Sequence, residues 1–259
     1  MGAESGTETT VSRWIEILAL WVSIPLFLLA WQVASTSGYV NELLFPPPTK
    51  VAAALWDELI KGTLILDLGM SVTRVVVGFV SGATVAIVLG LLTGRYAILS
   101  NLLTPIFQLL RPIPPIAFVP VVILWFGLSE WGKWFLVFWG VFFTVWVATH
   151  LGVQRADPAL IRAARSLGAP DRLLIRDVIL PSALPTIFVG LRTAVSISFY
   201  TLVAAELAGA VAGLAYRIDL AHQNMQTGQM LGGLVMLGIV SAAADRGFAL
   251  LSRRLVWWN

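Results

Sequence analysis

The run Gly127-Leu-Ser-Glu-Trp-Gly132-Lys133-Trp134 comes within one residue of a phosphate-binding loop. Such a loop cradles phosphates with its backbone N–H groups, and its final Ser or Thr hydroxyl holds Mg²⁺. Here Trp134 occupies that final position, no strand precedes the run, and long apolar segments flank it. No nucleotide site is expected on this chain, so if ATP drives the protein another chain binds it. Cysteine is absent, and the two histidines, His150 and His222, lie far apart in sequence. Thiol chemistry, thiolate metal sites and a metal centre are not expected. Among the charged residues inside apolar runs are Arg111, in a stretch that also holds Pro105, Pro112, Pro114, Pro115 and Pro120, and Glu206. Near Glu206, Ser196, Ser198, Tyr200 and Thr201 put hydroxyls on an otherwise apolar segment.

The surroundings of these residues decide what they can do. Of 259 residues 58% are hydrophobic and 12% charged, and mean hydropathy is +0.85. A soluble domain carries about 25% charged residues. Such a chain cannot hide its apolar surface in one water-soluble core, so the bilayer is its expected solvent. At about 20 apolar residues per span the length allows about five to seven spans. Net charge is only +3, with 17 basic and 14 acidic residues, and no basic stripe interleaves with aromatics. Nucleic-acid binding is not expected.

The expected fold is all-α and membrane-embedded, with about six transmembrane helices. Residues 1–13 form a polar tail, with an acidic start unlike a signal peptide. A first helix over 14–36 carries Pro25. Residues 37–67 form an external connector in which Phe45-Pro-Pro-Pro48 is stiff and extended. Thr49 is expected to cap a short surface helix there, with Val51, Leu55 and Leu59 on one face. A five-helix core over 68–254 includes a polar loop, 152–185, and residues 255–259 form a tail. Gly78-x-x-x-Gly82 and Gly90-x-x-x-Gly94 have the spacing of close helix packing. The proline-rich segment 102–128 cannot be one regular helix; broken backbone at membrane depth belongs against protein or a water-filled path. With six spans and both termini inside, Arg13, Arg95, Arg155, Arg162, Arg165, Arg172, Arg176, Arg246, Arg253 and Arg254 fall on the inner side. Lys50, Lys61, Lys133 and Arg217 fall outside, and Arg74, Arg111 and Arg192 fall in or near spans. That asymmetry sets the expected orientation.

An Arg inside a span costs about 3 kcal/mol on insertion scales, so Arg111 should face a partner or a cavity. Either it attracts a small anion, or it pairs with Glu206 or caps carbonyls freed by the prolines, as buried charges are as a rule paired. Glu206 is by the same logic a gate residue or that partner. The hydroxyls of the fifth span line a path or bond back to their own helix. Arg111, Pro114, Ser196, Ser198, Tyr200 and Glu206 are the expected path residues.

The most polar segment is Asp157–Pro185, with Arg162, Arg165, Arg172 and Arg176. Asp157-Pro158 is a helix start, an acceptor at the cap and proline in the first turn. Leu160, Ala164 and Leu167 share one face at helical period. Gly168 permits the left-handed turn that stops the helix. Pro170-Asp171 starts a second helix, with Leu173, Leu174 and Val178 on its apolar face, and Pro181 and Pro185 are expected to end it. The result is a compact two-helix knob outside the membrane.

Ala163-Ala164-x-x-x-Gly168, followed by Val178-x-Leu180-Pro181, resembles the EAA loop of ABC importer permeases. Arg162 stands where that family usually has Glu, and Val178 where it has Ile. Arg111-Pro-Ile-Pro-Pro-Ile-Ala-Phe-Val-Pro120, Leu124-Trp-Phe-Gly127, Gly190-Leu-Arg192 and Leu202-Val-Ala-Ala-Glu206 are similar to the branch serving nitrate, sulfonate, taurine and bicarbonate, over roughly 45–255. The resemblance implies type I importer architecture. Leu160, Arg162, Ala163, Ala164, Arg165, Ser166, Leu167, Gly168, Ala169 and Pro170 would dock into a separate ATPase. That partner binds ATP and Mg²⁺, and this chain binds no cofactor. It further implies a second permease copy, an external solute-binding protein, and a bacterial plasma membrane location. Alternatives are an importer of a heterocyclic vitamin precursor or other organic solute, or an ATP-independent secondary transporter.

Overall fold

A computed structural model describes residues 22–255. The expected tail 1–13, the start of the first helix at 14–21 and the residues 256–259 lie outside the described residues. The described chain is helical, without strands. Its elements are α1 (Val22–Thr36), α2 (Pro48–Ile60), α3 (Thr63–Arg95), α4 (Ala97–Leu110), a 3₁₀ turn (Pro115–Phe118), α5 (Val119–Phe126), α6 (Glu130–Gln154), α7 (Pro158–Ser166), α8 (Asp171–Leu207), α9 (Leu214–Gln223) and α10 (Thr227–Leu255). Among the described residues α3, α6, α8 and α10 are long and apolar enough to cross a membrane, and α4 with α5 makes a fifth crossing bent by 86°. The bend falls where Pro112, Pro114 and Pro115 withdraw backbone donors.

The centre of the bundle is α6. It is hydrophobic on all sides, as a helix enclosed by others must be, and Leu136, Val137, Val141 and Val145 are wholly buried. A side chain at Gly78 would put its Cβ 2.5 Å from Val137 Cβ, and one at Gly94 2.6 Å from Val153 Cβ. Both glycine pairs of α3 therefore form a seam along α6, and the matched numbers rise together, so the two helices run parallel. On the other flank Gly140 meets Thr201, and Gly190 meets Ala148. Those numbers run oppositely, so α8 is antiparallel to α6. With 25 residues, α6 is about 37 Å long, and its Glu130 and Gln154 ends mark the two faces of the bundle.

Two local expectations are corrected. α2 begins at Pro48 with Pro47 at the cap, and the Thr49 side chain caps nothing; proline has its φ preset for the first turn and lacks the N–H a cap would satisfy. Val51 and Leu55 of α2 pack on α10 near Gly232, but Leu59 is exposed while Glu58 is buried. Pro181 and Pro185 do not end the second helix of the polar stretch: α8 runs unbroken for 37 residues from Asp171 into the bundle. Its residues Leu174–Ile179 form a wide π-type turn, directly before Pro181. Such a turn relaxes the i→i−4 ladder that a proline interrupts, and packing of Ala183 and Ile187 in the core holds the helix together beyond it.

Candidate functional site

At the Gln154 end, three residues separate α6 from α7. The Asp157 carboxylate accepts the Ala159 N–H at 2.7 Å, closing the first turn behind Pro158. Gly168 ends the knob at φ +80°, with its N–H donated to Arg165 and that of Ala169 to Ala164. The apolar face differs from the one expected. Ile161 and Ala164 pack against the buried Leu174 and Ile179, whereas Leu160 is 53% and Leu167 88% exposed. Arg162, Ala163, Arg165, Ser166, Gly168 and Pro170 are also exposed, and Ala169 is half-buried. Arg95, an inner-side arginine at the end of α3, donates to Asp171 at 2.9 Å. This short helix and its C-cap therefore present two large apolar side chains, Leu160 and Leu167, and two arginines outward, on a base tied to α3, α6 and α8.

Midway along α6 lies a cavity of about 250 Å³ between the α4–α5 bend, α6 and α8. Arg111, Pro114, Trp139, Thr144, Tyr200 and Thr201 are among its lining residues. The structure thus brings together three of the expected path residues, Arg111, Pro114 and Tyr200. Among the described residues the Arg111 side chain makes no ion pair or hydrogen bond. The hydroxyls of Thr144 and Thr201 bond back to Gly140 and Ile197. Ser196 is exposed on α8 outside this lining, and Ser198 is fully buried, its hydroxyl donating to the Val195 carbonyl at 2.6 Å.

Glu206 is nowhere near Arg111 in its bonding; the pairing considered from sequence does not form. Its Oε1 accepts from Arg74 Nη1 at 2.9 Å and from the Ser71 hydroxyl at 2.6 Å, and its Oε2 from the Ala215 N–H at 2.7 Å. Arg74 also grips both oxygens of Glu130, at 2.7 and 2.8 Å, and Lys133 reaches Glu130 at 3.0 Å. Alongside, Asp67 accepts from the Gly213 N–H and from Arg217, at 2.9 and 2.8 Å. Arg74 and Glu206 are 0% and 1% exposed, which is tolerable only because every charge has an opposite and the acceptors are filled. Gly213 has φ +133°, and a Cβ there would collide with the Glu206 carboxylate at 2.4 Å. The two carboxylates sit at the start of α9 and satisfy N–H groups that the helix leaves unpaired. This cluster ties α3, α6, α8 and α9 together at the Glu130 end. Sequence reading noted Arg74 only as lying near a span. Its signal was available: Arg74 and Glu206 are opposite charges at similar distances from the same face.

A bundle of crossing helices, with a cavity at mid-depth that Arg111 borders, a locked far end and an exposed amphipathic helix at the near end, is the layout of a multi-pass membrane permease. Residues 82–257 match the family described as binding-protein-dependent transport system inner membrane component, and the chain belongs to that family. It is 32% identical to the taurine transport system permease protein TauC of Escherichia coli (strain K12), over 92% of this chain and 88% of that protein. It is 34% identical to the putative aliphatic sulfonates transport permease protein SsuC of Bacillus subtilis (strain 168), over 91% of this chain and 86% of that protein. Among solved structures, an inward-facing MetNI methionine ABC transporter superposes with TM-score 0.64 over 76% of this chain and 98% of that one, at 20% identity, which speaks for the fold.

Proposed function

We propose that this chain is the permease subunit of an ATP-driven importer and forms, with a second copy of itself, the path for a small anion of the sulfonate, taurine, nitrate or bicarbonate kind. The observation that carries the anion reading is Arg111, an unpaired guanidinium on a cavity at mid-depth. A charge so placed faces the pathway rather than lipid. The Glu130 end faces outward toward a solute-binding protein, and both termini lie in the cytoplasm of a bacterial cell, in keeping with the distribution of arginines. Leu160 of α7 and Leu167 at its C-cap insert into a groove of the ATPase subunit, which alone binds ATP and Mg²⁺; this chain performs no covalent step. ATP-driven closure of two ATPases moves the two α7 helices, and α8 carries that motion to the cavity.

The test is co-purification with the neighbouring ATPase in detergent, comparing wild type with the Gly168→Pro plus Ala164→Asp variant. Wild type retains the ATPase and the variant loses it at equal expression. Equal retention by both refutes docking through α7. Solute flux by the permease alone, without any ATPase, replaces this reading with an ATP-independent transporter.

A further inference from the structure

Arg192 of α8 and Asp245 of α10 form an ion pair outside both the cavity lining and the far-end cluster. It is two-pronged: Nε donates to Oδ1 at 3.0 Å and Nη2 to Oδ2 at 2.9 Å. Its depth follows from the packing of α8 on α6. Gly190 meets Ala148, which puts Arg192 about 12 Å along the axis from the Gln154 end of α6 and about 24 Å from the Glu130 end. The hydrocarbon layer is about 30 Å thick, so α6 outlasts it by little at either end. The pair therefore sits at membrane depth, yet its side chains are 55% and 30% exposed. Val189, Thr193, Ser196 and Tyr200 are exposed on the same face of α8, and Tyr200 borders the cavity. A face carrying a charge pair and three hydroxyls is disfavoured against lipid and belongs on water. It leads from the cavity about 12 Å toward the Gln154 end.

The pair also differs in kind from the far-end cluster. Arg74 and Glu206, 0% and 1% exposed, cannot part without stranding a buried charge. Arg192 and Asp245 can part, because a pair open to water is held weakly. The two Asp245 oxygens present to the guanidinium what a small oxyanion presents, two acceptors side by side. We propose that Arg192 is a second station for the anion, between the cavity and the Gln154 end, and that Asp245 is a tethered stand-in for the solute. Asp245 occupies Arg192 while the route is empty and yields it when the solute's oxygens reach the same two donors. This rests on the path carrying an anion. The stand-in keeps the guanidinium neutralised between turnovers, and its competition keeps the solute from being held.

The chain has no cysteine, so a single introduced thiol reports on its own position. Thr193→Cys stands beside Arg192. Val88→Cys lies at a matching depth on an exposed face of α3, since neighbouring Gly90 meets Thr149. Each is placed in the permease–ATPase complex in lipid nanodiscs without nucleotide and treated with 2-sulfonatoethyl methanethiosulfonate, whose charge keeps it out of lipid. Thr193→Cys is expected to react at least about tenfold faster than Val88→Cys. Equal rates put the face on lipid or against another chain and overturn the proposal. Methanesulfonate and nitrate are then tested as protectants of Thr193→Cys. At least one slows its reaction at millimolar concentration, does so at about tenfold lower concentration once Asp245→Asn removes the tethered competitor, and loses the effect in Arg192→Gln. If Arg192→Gln does not assemble, Arg192→Gln/Asp245→Asn, neutral as the pair is, carries that arm. Protection at the same concentration with and without Asp245→Asn overturns the stand-in. Protection that survives Arg192→Gln but is lost in Arg111→Gln overturns the second station and leaves the anion path standing. Protection absent throughout, Asp245→Asn included, overturns both.

Discussion

Replacing Glu206 by Gln exchanges one carboxylate oxygen for an NH₂ group, and the cluster around it makes that change expensive. Every contact Glu206 makes is as an acceptor. Ser71 takes the Leu214 N–H on its own oxygen at 2.8 Å, so its hydroxyl hydrogen is free to go to Glu206 Oε1, which Arg74 Nη1 also reaches. The other oxygen takes the Ala215 N–H. A Gln amide must set its NH₂ against one of these donors, whichever way it is turned. It also removes the negative charge that balances a guanidinium with no exposure. Losing a hydrogen bond to a charged group costs about 1.5–3 kcal/mol, and breaking one side of a buried pair about 3–5 kcal/mol. These overlap, so the expected loss is about 3–5 kcal/mol in total. At about 2–4 °C per kcal/mol for a chain of this size, the midpoint falls by roughly 10 °C. The assay is thermal unfolding of the detergent-solubilised protein, for wild type, Glu206→Gln, Arg74→Met and the double variant Arg74→Met/Glu206→Gln. The double variant, with both charges removed, should recover much of the loss. A Glu206→Gln midpoint within 2 °C of wild type, or losses that simply add in the double variant, would refute the reasoning.

The glycine seam makes a sharper local prediction: Gly78→Ala drives a methyl into Val137 and costs about 1–3 kcal/mol, whereas Gly69→Ala, with open space around it in the same helix, gains up to about 1 kcal/mol from helix propensity; thermal midpoints should move in opposite directions. Asp157→Ala removes the cap of α7 and should cost that helix about 1 kcal/mol, seen as faster amide exchange over 158–166 with the global midpoint little changed. Glu58 is buried outside the spans, and burial pushes its carboxyl above the ordinary 4.5 against the pull of the Arg217 charge. Its folded form therefore holds the proton to higher pH than the unfolded chain does, so stability falls as pH rises from that ordinary value through the raised one. Glu58→Gln should match wild type near pH 4 and exceed it at pH 8 in the same unfolding assay.

The parts of this structure governed by neighbours in sequence were legible there. Asp157-Pro158 and Gly168 delimit α7 because a cap, a preset φ and a left-handed turn are each local devices. The break at Pro112–Pro115 and the close packing at Gly78, Gly82, Gly90 and Gly94 follow from single-residue chemistry in the same way. What failed depended on partners far along the chain. Leu160 and Ile161 are adjacent and equally apolar, and only the position of Leu174 and Ile179 decides that the second turns inward. Pro181 reads as a helix end by its own chemistry, and the core contacts of Ala183 and Ile187 override it. The Arg74–Glu206 pair joins residues on helices separated by two further crossings, so no window of sequence contains it; matching charges by depth along antiparallel spans finds it, and the same exercise removes Glu206 as a companion for Arg111.

The unbroken course of α8 from Asp171 to Leu207 makes it a single beam with one end in each compartment of the problem. At 1.5 Å per residue it is about 55 Å long. Its foot is the α7 turn, Tyr200 stands on it beside the cavity, and its head, Glu206, is bolted to α3 and α9 and, through Arg74, to α6. With the head fixed, swinging the foot by 5 Å tilts the beam about 5°. Tyr200, only a few residues from the bolted end, then travels less than 1 Å at this same rise per residue. The lever is geared down: a large stroke at the membrane surface becomes a fine adjustment at the cavity, delivered with correspondingly greater force.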